Sequence, residues 1–121
     1  MAVATITITD ITQKPLNLYT LLTQNSTPGY TVVPAAPLSA NIPGMVAGVA
    51  YLSVQASYNN GGTVVYKGDA NVKTDGSRQA KEMVAGDTDV SQAYPFTVNL
   101  NEIYITASAN GAKVNLEAHH A

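Results

Sequence analysis

EIYITASANGAKVNLEA, residues 102–118, places two alternating runs on either side of an Asn-Gly pair. Ile103, Ile105 and Ala107 alternate with polar neighbours before the pair, and Val114, Leu116 and Ala118 do so after it. A period of two marks a half-buried strand. Asn110-Gly111 between two such runs is the strongest short-range hairpin signal a sequence offers. The stretch therefore predicts an antiparallel hairpin and an all-β fold. Just upstream, FTVNL at 96–100 is a further short strand, and the apolar parity changes between Leu100 and Ile103, which predicts a bulge or a corner there.

The rest of the chain extends this reading. VATITIT at 3–9 sets Ala4, Ile6 and Ile8 on one side and Thr5, Thr7 and Thr9 on the other, a strand rich in β-branched residues. PLNLYTLLTQ at 15–24 predicts a helix of two turns, with Pro15 at its first position and Leu18, Leu21 and Leu22 on one face. An extended course through Leu16 and Leu18 competes with it. YTVVP at 30–34 and PLSANIPG at 37–44 are short extended runs bounded by prolines, which suits the edge of a sheet. From Met45 to Ser57 the even positions Val46, Ala50, Leu52, Val54 and Ala56 are apolar while the odd ones drift toward Ser53 and Gln55. That pattern predicts a long strand, buried on both faces at first and wet on one face later. YNNGG at 58–62 then turns into TVVYKGD at 63–69, a second hairpin signal. Several strands with turn signals at short intervals predict a β-sandwich, jelly-roll-like, as a single domain over 1–121 with at most one short helix.

Charge is informative through its placement. The 121 residues carry a net charge of −2 and no cysteine. A backbone-binding nucleic-acid protein needs a basic stripe, so no nucleic-acid partner is expected. Without cysteine there are no disulfides and no thiolate metal sites. MAVATITITD lacks the basic and apolar regions of a signal peptide, and IPGMVAGVAYLSV at 42–54 is too short to span a bilayer, so no membrane partner is expected. Residues 15–66 contain no Asp, Glu, Lys or Arg, whereas a typical domain is about one quarter charged. Either this half has a polar-neutral surface of Thr, Ser, Asn and Gln, or much of it meets another chain, because interface cores are depleted in charge.

The candidates for chemistry are few. KGDANVKTDG at 67–76 places Asp69, Asn71 and Asp75 near glycines, but an EF-hand counted from Asp69 would put Lys73 at a ligand position and Ala80 where glutamate belongs. Turn chemistry at Asp and Asn explains the stretch better, and neither a metal nor a cofactor is expected. Asp87 and Asp89 would share one face of a strand, yet they sit in polar, turn-like AGDTDVSQ. His119 and His120 are the only histidines, and a base placed on a tail is poorly held. Asn25-Ser26-Thr27 is a formal glycosylation sequon that matters only on a secretory route. An enzyme is not expected. Tyr51, Tyr58 and Tyr66, beside Asn59 and Asn60, would suit a sugar-stacking platform, ordinary sheet packing or a protein contact.

In the order of its parts the chain resembles small bacteriophage virion structural proteins, the capsid cement or decoration family. The parts are TITIT (5–9), LNLYTLL (16–22), VVYKGDANVKTDG (64–76) and NLNEIYITASANGAKVNLEA (99–118). The resemblance implies a protein that cements or decorates the outer capsid surface by non-covalent contacts. Its partners would be the major capsid protein and itself, as a homodimer or homotrimer. It would be synthesised in the host cytoplasm and reside on the virion, and the family supplies no catalytic residues. Under that reading the uncharged half carries the contacts, with Leu16, Leu18, Tyr19, Val46, Val49, Tyr51, Tyr58 and Tyr66 as candidate interface residues. A head–tail or tail adaptor of a phage particle, or a carbohydrate-binding β-sandwich, are the alternatives.

Overall fold

The computed structural model describes residues 2–24, 26–33, 48–78, 80–92 and 98–119. Val46, the run at 37–44, Asn25, residues 96–97 and His120 lie outside them. The architecture is a β-sandwich. One sheet has six strands in the order β3-β4-β1-β12-β6-β9, and the other has four in the order β2-β11-β7-β8. Their ranges are β1 Ala2–Ile8, β2 Leu16–Asn17, β3 Ser26–Thr27, β4 Tyr30–Val33, β6 Tyr51–Ala56, β7 Val65–Gly68, β8 Lys81–Met83, β9 Thr88–Gln92, β11 Tyr104–Ala107 and β12 Ala112–His119. A small pair, β5 (Gly48–Val49) and β10 (Val98–Asn99), stands apart from both.

All pairings among the described residues are antiparallel, and the centre of the large sheet is built from segments at opposite ends of the sequence. β1 pairs with β12 over seven positions, from Ala2↔Ala118 to Ile8↔Ala112. β12 pairs on its other side with β6, from Val114↔Ala56 to His119↔Tyr51. The period-two pattern explains why these strands fit. Ala4, Ile6, Ile8, Leu52, Val54, Ala56, Val114, Leu116 and Ala118 all point inward at 2 % exposure or less. Val65, Met83, Ile105 and Ala107 of the small sheet meet them to complete the core. Each such aliphatic side chain contributes about 1.5–3 kcal/mol when fully buried, less for alanine.

The two hairpins expected at Asn-Gly turns do not form. β11 lies in the small sheet and β12 in the large one, so the Asn110-Gly111 turn is an arch between sheets. The YNNGG turn likewise carries β6 of the large sheet into β7 of the small one. A type I′ hairpin turn needs positive φ at both central residues. Among the described residues only glycines have it, including Gly111 at +91° and Gly61 at +63°. The asparagines do other work. Asn110 Oδ1 accepts from Ile11 N at 2.8 Å while Gly111 N donates to Ile8 O at 2.7 Å, so the arch ties down the chain leaving β1. Asn60 Nδ2 donates to Lys113 O at 2.9 Å, and its Oδ1 accepts from Lys113 N at 2.8 Å. This side-chain amide stands in for a strand neighbour where β12 begins.

PLNLYTLLTQ resolves into both of its readings. Leu16–Asn17 is strand β2, and α1 spans Leu18–Thr23. Asn17, not Pro15, starts the helix: its Oδ1 accepts from Thr20 N at 2.7 Å, and an asparagine N-cap satisfies one of the orphan first-turn donors. Leu18, Leu21 and Leu22 share the buried face as the spacing predicts. The helix packs on β4 and on a 3₁₀ turn at Leu100–Glu102. That turn is the corner expected from the parity change at Leu100.

Tyr30 links the two sheets. It lies on β4 at 3 % exposure, and its hydroxyl donates to Ile105 O at 2.9 Å and accepts from Leu16 N at 3.4 Å. Leu16 and Ile105 are register partners across β2 and β11, so the hydroxyl bridges the small sheet from within the large one. Burial pushes the Tyr30 phenol above its ordinary pKa.

Candidate functional site

The loop that follows β7 lies over the outer face of the small sheet. Tyr66 and Thr106 are register partners on that face, and they are 7 % and 1 % exposed. Val72 is buried beside Gly68, where an added Cβ would lie 3.2 Å from its methyl. Gly76 (φ +72°) lies against the Tyr66 ring, 3.0 Å from where its own Cβ would be. The carboxylates of the loop are engaged locally. Asp69 accepts from Asn71 N at 2.9 Å and from Arg78 Nη2 at 2.7 Å, and Asp75 accepts from Ser77 N at 2.8 Å. The hydrogen bond from Arg78 holds Asp69 below the usual carboxylate range, and hydrogen bonds from Ser77 do the same for Asp75. KGDANVKTDG thus folds as a cover over the small sheet. Two open grooves flank it, of about 590 and 320 Å³, sharing Pro15, Val72 and Lys73.

Asp89, Lys67, Asp87 and His119 also have structural partners. Asp89 and Ser91 point inward from edge strand β9, opposite Val54 and Leu52. Lys67 reaches from the small sheet to form an ion pair with Asp89, and its Nζ is 3.4 Å from Ser91 Oγ. Inward charge on an edge strand discourages uncontrolled edge-to-edge pairing. Asp87 Oδ2 accepts from Val84 N at 3.0 Å and closes the turn between β8 and β9. His119 stands edge-on to Tyr51 with ring centroids 5.1 Å apart, and its Nε2 is 3.5 Å from Glu117 Oε1. Among the described residues no three His, Cys, Asp or Glu side chains converge as metal ligands. Among the described residues no helix is long and apolar enough to cross a membrane.

The outer face of the large sheet is the site with the clearest character. Alternation turns Val3, Thr5 and Thr7 of β1 outward, with Thr31 and Val33 of β4 and Lys113, Asn115, Glu117 and His119 of β12. Tyr51, Ser53 and Gln55 of β6 and Thr88, Val90 and Gln92 of β9 complete it. Its centre is a ladder of neutral side chains across three strands. Thr5 Oγ1 donates to Asn115 Oδ1 at 2.9 Å, and Asn115 Nδ2 donates to Gln55 Oε1 at 3.3 Å. Val3, Val33 and Val90 are 55, 64 and 50 % exposed on this face. Lys113 and Glu117 are its only Lys, Arg, Asp or Glu residues. A shallow depression of about 340 Å³ lies between Val3, Ser53, Gln55, Thr88, Asn115 and Glu117.

No model of a known protein family matches the chain, and neither does any curated protein or solved structure.

The structure disperses the candidate contact residues. Leu18 and Val49 have no exposed surface and Tyr66 has 7 %, so these three serve packing within the chain. Leu16 and Tyr19 are half-buried against the core. Tyr58 is 77 % exposed, its ring resting over Gly86. Tyr51 alone among the described candidates lies on the outer face of the large sheet. The three tyrosines form no platform: Tyr66 belongs to the other sheet, and Tyr51 and Tyr58 flank opposite ends of β6. The five steps from Tyr51 to Ala56 already cover about 16 Å at about 3.3 Å per residue. The Thr5–Asn115–Gln55 ladder escaped sequence reasoning because its members belong to three separate strands. The visible signal was the row of threonines in TITIT.

Proposed function

We propose that this chain is a structural protein of a bacteriophage particle that cements or decorates the outer surface of the capsid. The observation that carries the reading is the outer face of the large sheet, broad, nearly uncharged and cross-linked by its own side-chain hydrogen bonds. Residues 15–66, without a single charged side chain, supply Thr31, Val33, Tyr51, Ser53 and Gln55 to it. A face of this kind suits burial against protein, because charge depletion marks interface cores. Ordering by mutual hydrogen bonds also lowers the entropy lost when such side chains dock. The order of the sequence parts, similar to that of capsid cement proteins, supplies the particular assembly. The mechanism is adhesion, with partners in the major capsid protein and further copies of the chain, and many weak contacts gain strength through avidity.

The test is quantitative mass spectrometry of purified particles of the phage that encodes the chain. A copy number comparable to that of the major capsid protein, released by mild denaturant while the shell stays closed, supports cement or decoration. A copy number of a single ring moves the chain to the head–tail or tail adaptor reading. Absence from the particle overturns both.

A further inference from the structure

We propose that the outer face of the large sheet is a two-fold self-association surface, on which Lys113 of one copy pairs with Glu117 of the second. The proposal refines the self-association part of the proposed function, and it holds whether or not a capsid is the final partner. Two charges set the geometry. Lys113 and Glu117 both point outward from β12, two residues to either side of Asn115. At about 3.4 Å per residue they are about 14 Å apart, symmetric about Asn115. A two-fold axis lying in the interface above Asn115 and across the strands reverses β12 over its copy. That operation sets each Lys113 opposite the other copy's Glu117, giving two pairs of opposite sign. An isologous contact needs this self-complementarity. An axis along the strands would instead set like charges opposite each other, so the arrangement of charge selects one of the two face-to-face stackings.

Surface shape and area agree with this. The depression bounded by Val3, Ser53, Gln55, Thr88, Asn115 and Glu117, about 340 Å³, lies beside Glu117 and has room for a lysine side chain. The backbone of Lys113 is fixed for presentation, because both its N–H and its C=O are bonded to the Asn60 amide, at 2.8 and 2.9 Å. Five strands about 4.8 Å apart and averaging six residues, about 20 Å, give a face on the order of 500 Å² in projection. Side-chain relief raises the accessible area toward the about 800 Å² per partner of a standard interface. Exposed Val3, Val33 and Val90 supply the apolar part of it. Face-to-face sheets cross at about 30°, which centres the contact on β12, the central strand of these five.

The experiment is sedimentation equilibrium of the full chain and of Lys113→Glu, Glu117→Lys and the double variant, with circular dichroism melts to show that each is folded. The wild type is expected to dimerise. Each single reversal creates two like-charge contacts and weakens the dimer at least about tenfold, equivalent to about 1.4 kcal/mol. The double reversal restores the wild-type constant. A wild type that stays monomeric overturns the proposal, as do single reversals without effect or a double variant that fails to recover. A mixture of the two single variants gives a second reading, because only the mixed dimer can form an attractive Lys–Glu pair. A dimer with no particle copy number would leave this surface standing and remove the capsid.

Discussion

Tyr30→Phe removes one oxygen from the point where the two sheets are tied together. Tyr30 is buried at 3 % exposure and phenylalanine has the same ring, so the substitution keeps the apolar packing and tests the hydroxyl alone. Its loss leaves Ile105 O without a 2.9 Å donor and Leu16 N without a 3.4 Å acceptor. Leu16 and Ile105 remain ladder partners, so the loss is that of a hydrogen bond and not of a carbonyl's only partner, about 0.5–1.5 kcal/mol. Unfolding entropy of about 2.1 cal/mol/K per residue converts this to a Tm lower by about 2–6 °C for a chain of 121 residues. The pH dependence adds a second test. Because burial raises the phenol pKa in the folded state, its contribution is fully present below the unfolded tyrosine value of about 10. It is lost as pH rises through the folded pKa. The gap between wild type and Tyr30→Phe should therefore narrow above about pH 10, because every other tyrosine and lysine is common to both proteins. Urea transitions followed by circular dichroism at neutral and alkaline pH measure it. Coincident transitions at neutral pH, or a gap unchanged in alkali, would refute the bridging role.

Asp89→Asn leaves Lys67, whose side chain is 14 % exposed, without its carboxylate, and should cost about 1–3 kcal/mol in chemical denaturation. The double variant Lys67→Met/Asp89→Leu should recover most of that loss, because replacing a whole buried ion pair by apolar groups is often neutral. Gly29→Ala and Gly61→Ala separate strain from collision. Both glycines have positive φ, but an added Cβ at Gly29 meets Asp10 O at 2.9 Å while nothing lies within 4 Å at Gly61. The Gly61 substitution, at φ +63° and ψ −123°, should cost about 1–3 kcal/mol from backbone strain alone, and the Gly29 substitution at least about 1 kcal/mol more, both read from denaturant midpoints.

What the sequence discloses here depends on whether a signal is local. β1 is legible because Ala4, Ile6 and Ile8 alternate within a few residues. So is the buried face of α1, from Leu18, Leu21 and Leu22, and the corner at Leu100. The turns at Asn60-Gly61 and Asn110-Gly111 differ from the expected hairpins for a physical reason. Asn-Gly reports that the chain turns, but not whether the next strand returns to the same sheet or crosses to the facing one. Both strands alternate in either case. The asparagine side chains decide the outcome through partners at Ile11 and Lys113, 99 and 53 residues away, and no window contains both ends of such a bond. Tyr30 is hidden in the same way, since its spacing is that of any strand tyrosine. The face proposed as a contact surface is half visible: the uncharged run points to it, but four of the seven described candidates from that run, Leu16, Leu18, Tyr19 and Val49, lie in or against the core.

The pairing of β1 with β12 sets an order of events during synthesis. Thr5 and Asn115, hydrogen-bonded in the finished sheet, are 110 positions apart. At about 5–20 residues per second a ribosome needs roughly 5–20 s between releasing the first strand and the last. Throughout that interval Ile6 and Ile8 have no β12 to cover them. Non-local pairing of this kind also folds slowly, on about the millisecond-to-second scale. The nascent chain therefore waits with apolar strands uncovered, and its yield in a cell should respond to chaperone supply more than its final stability alone would indicate.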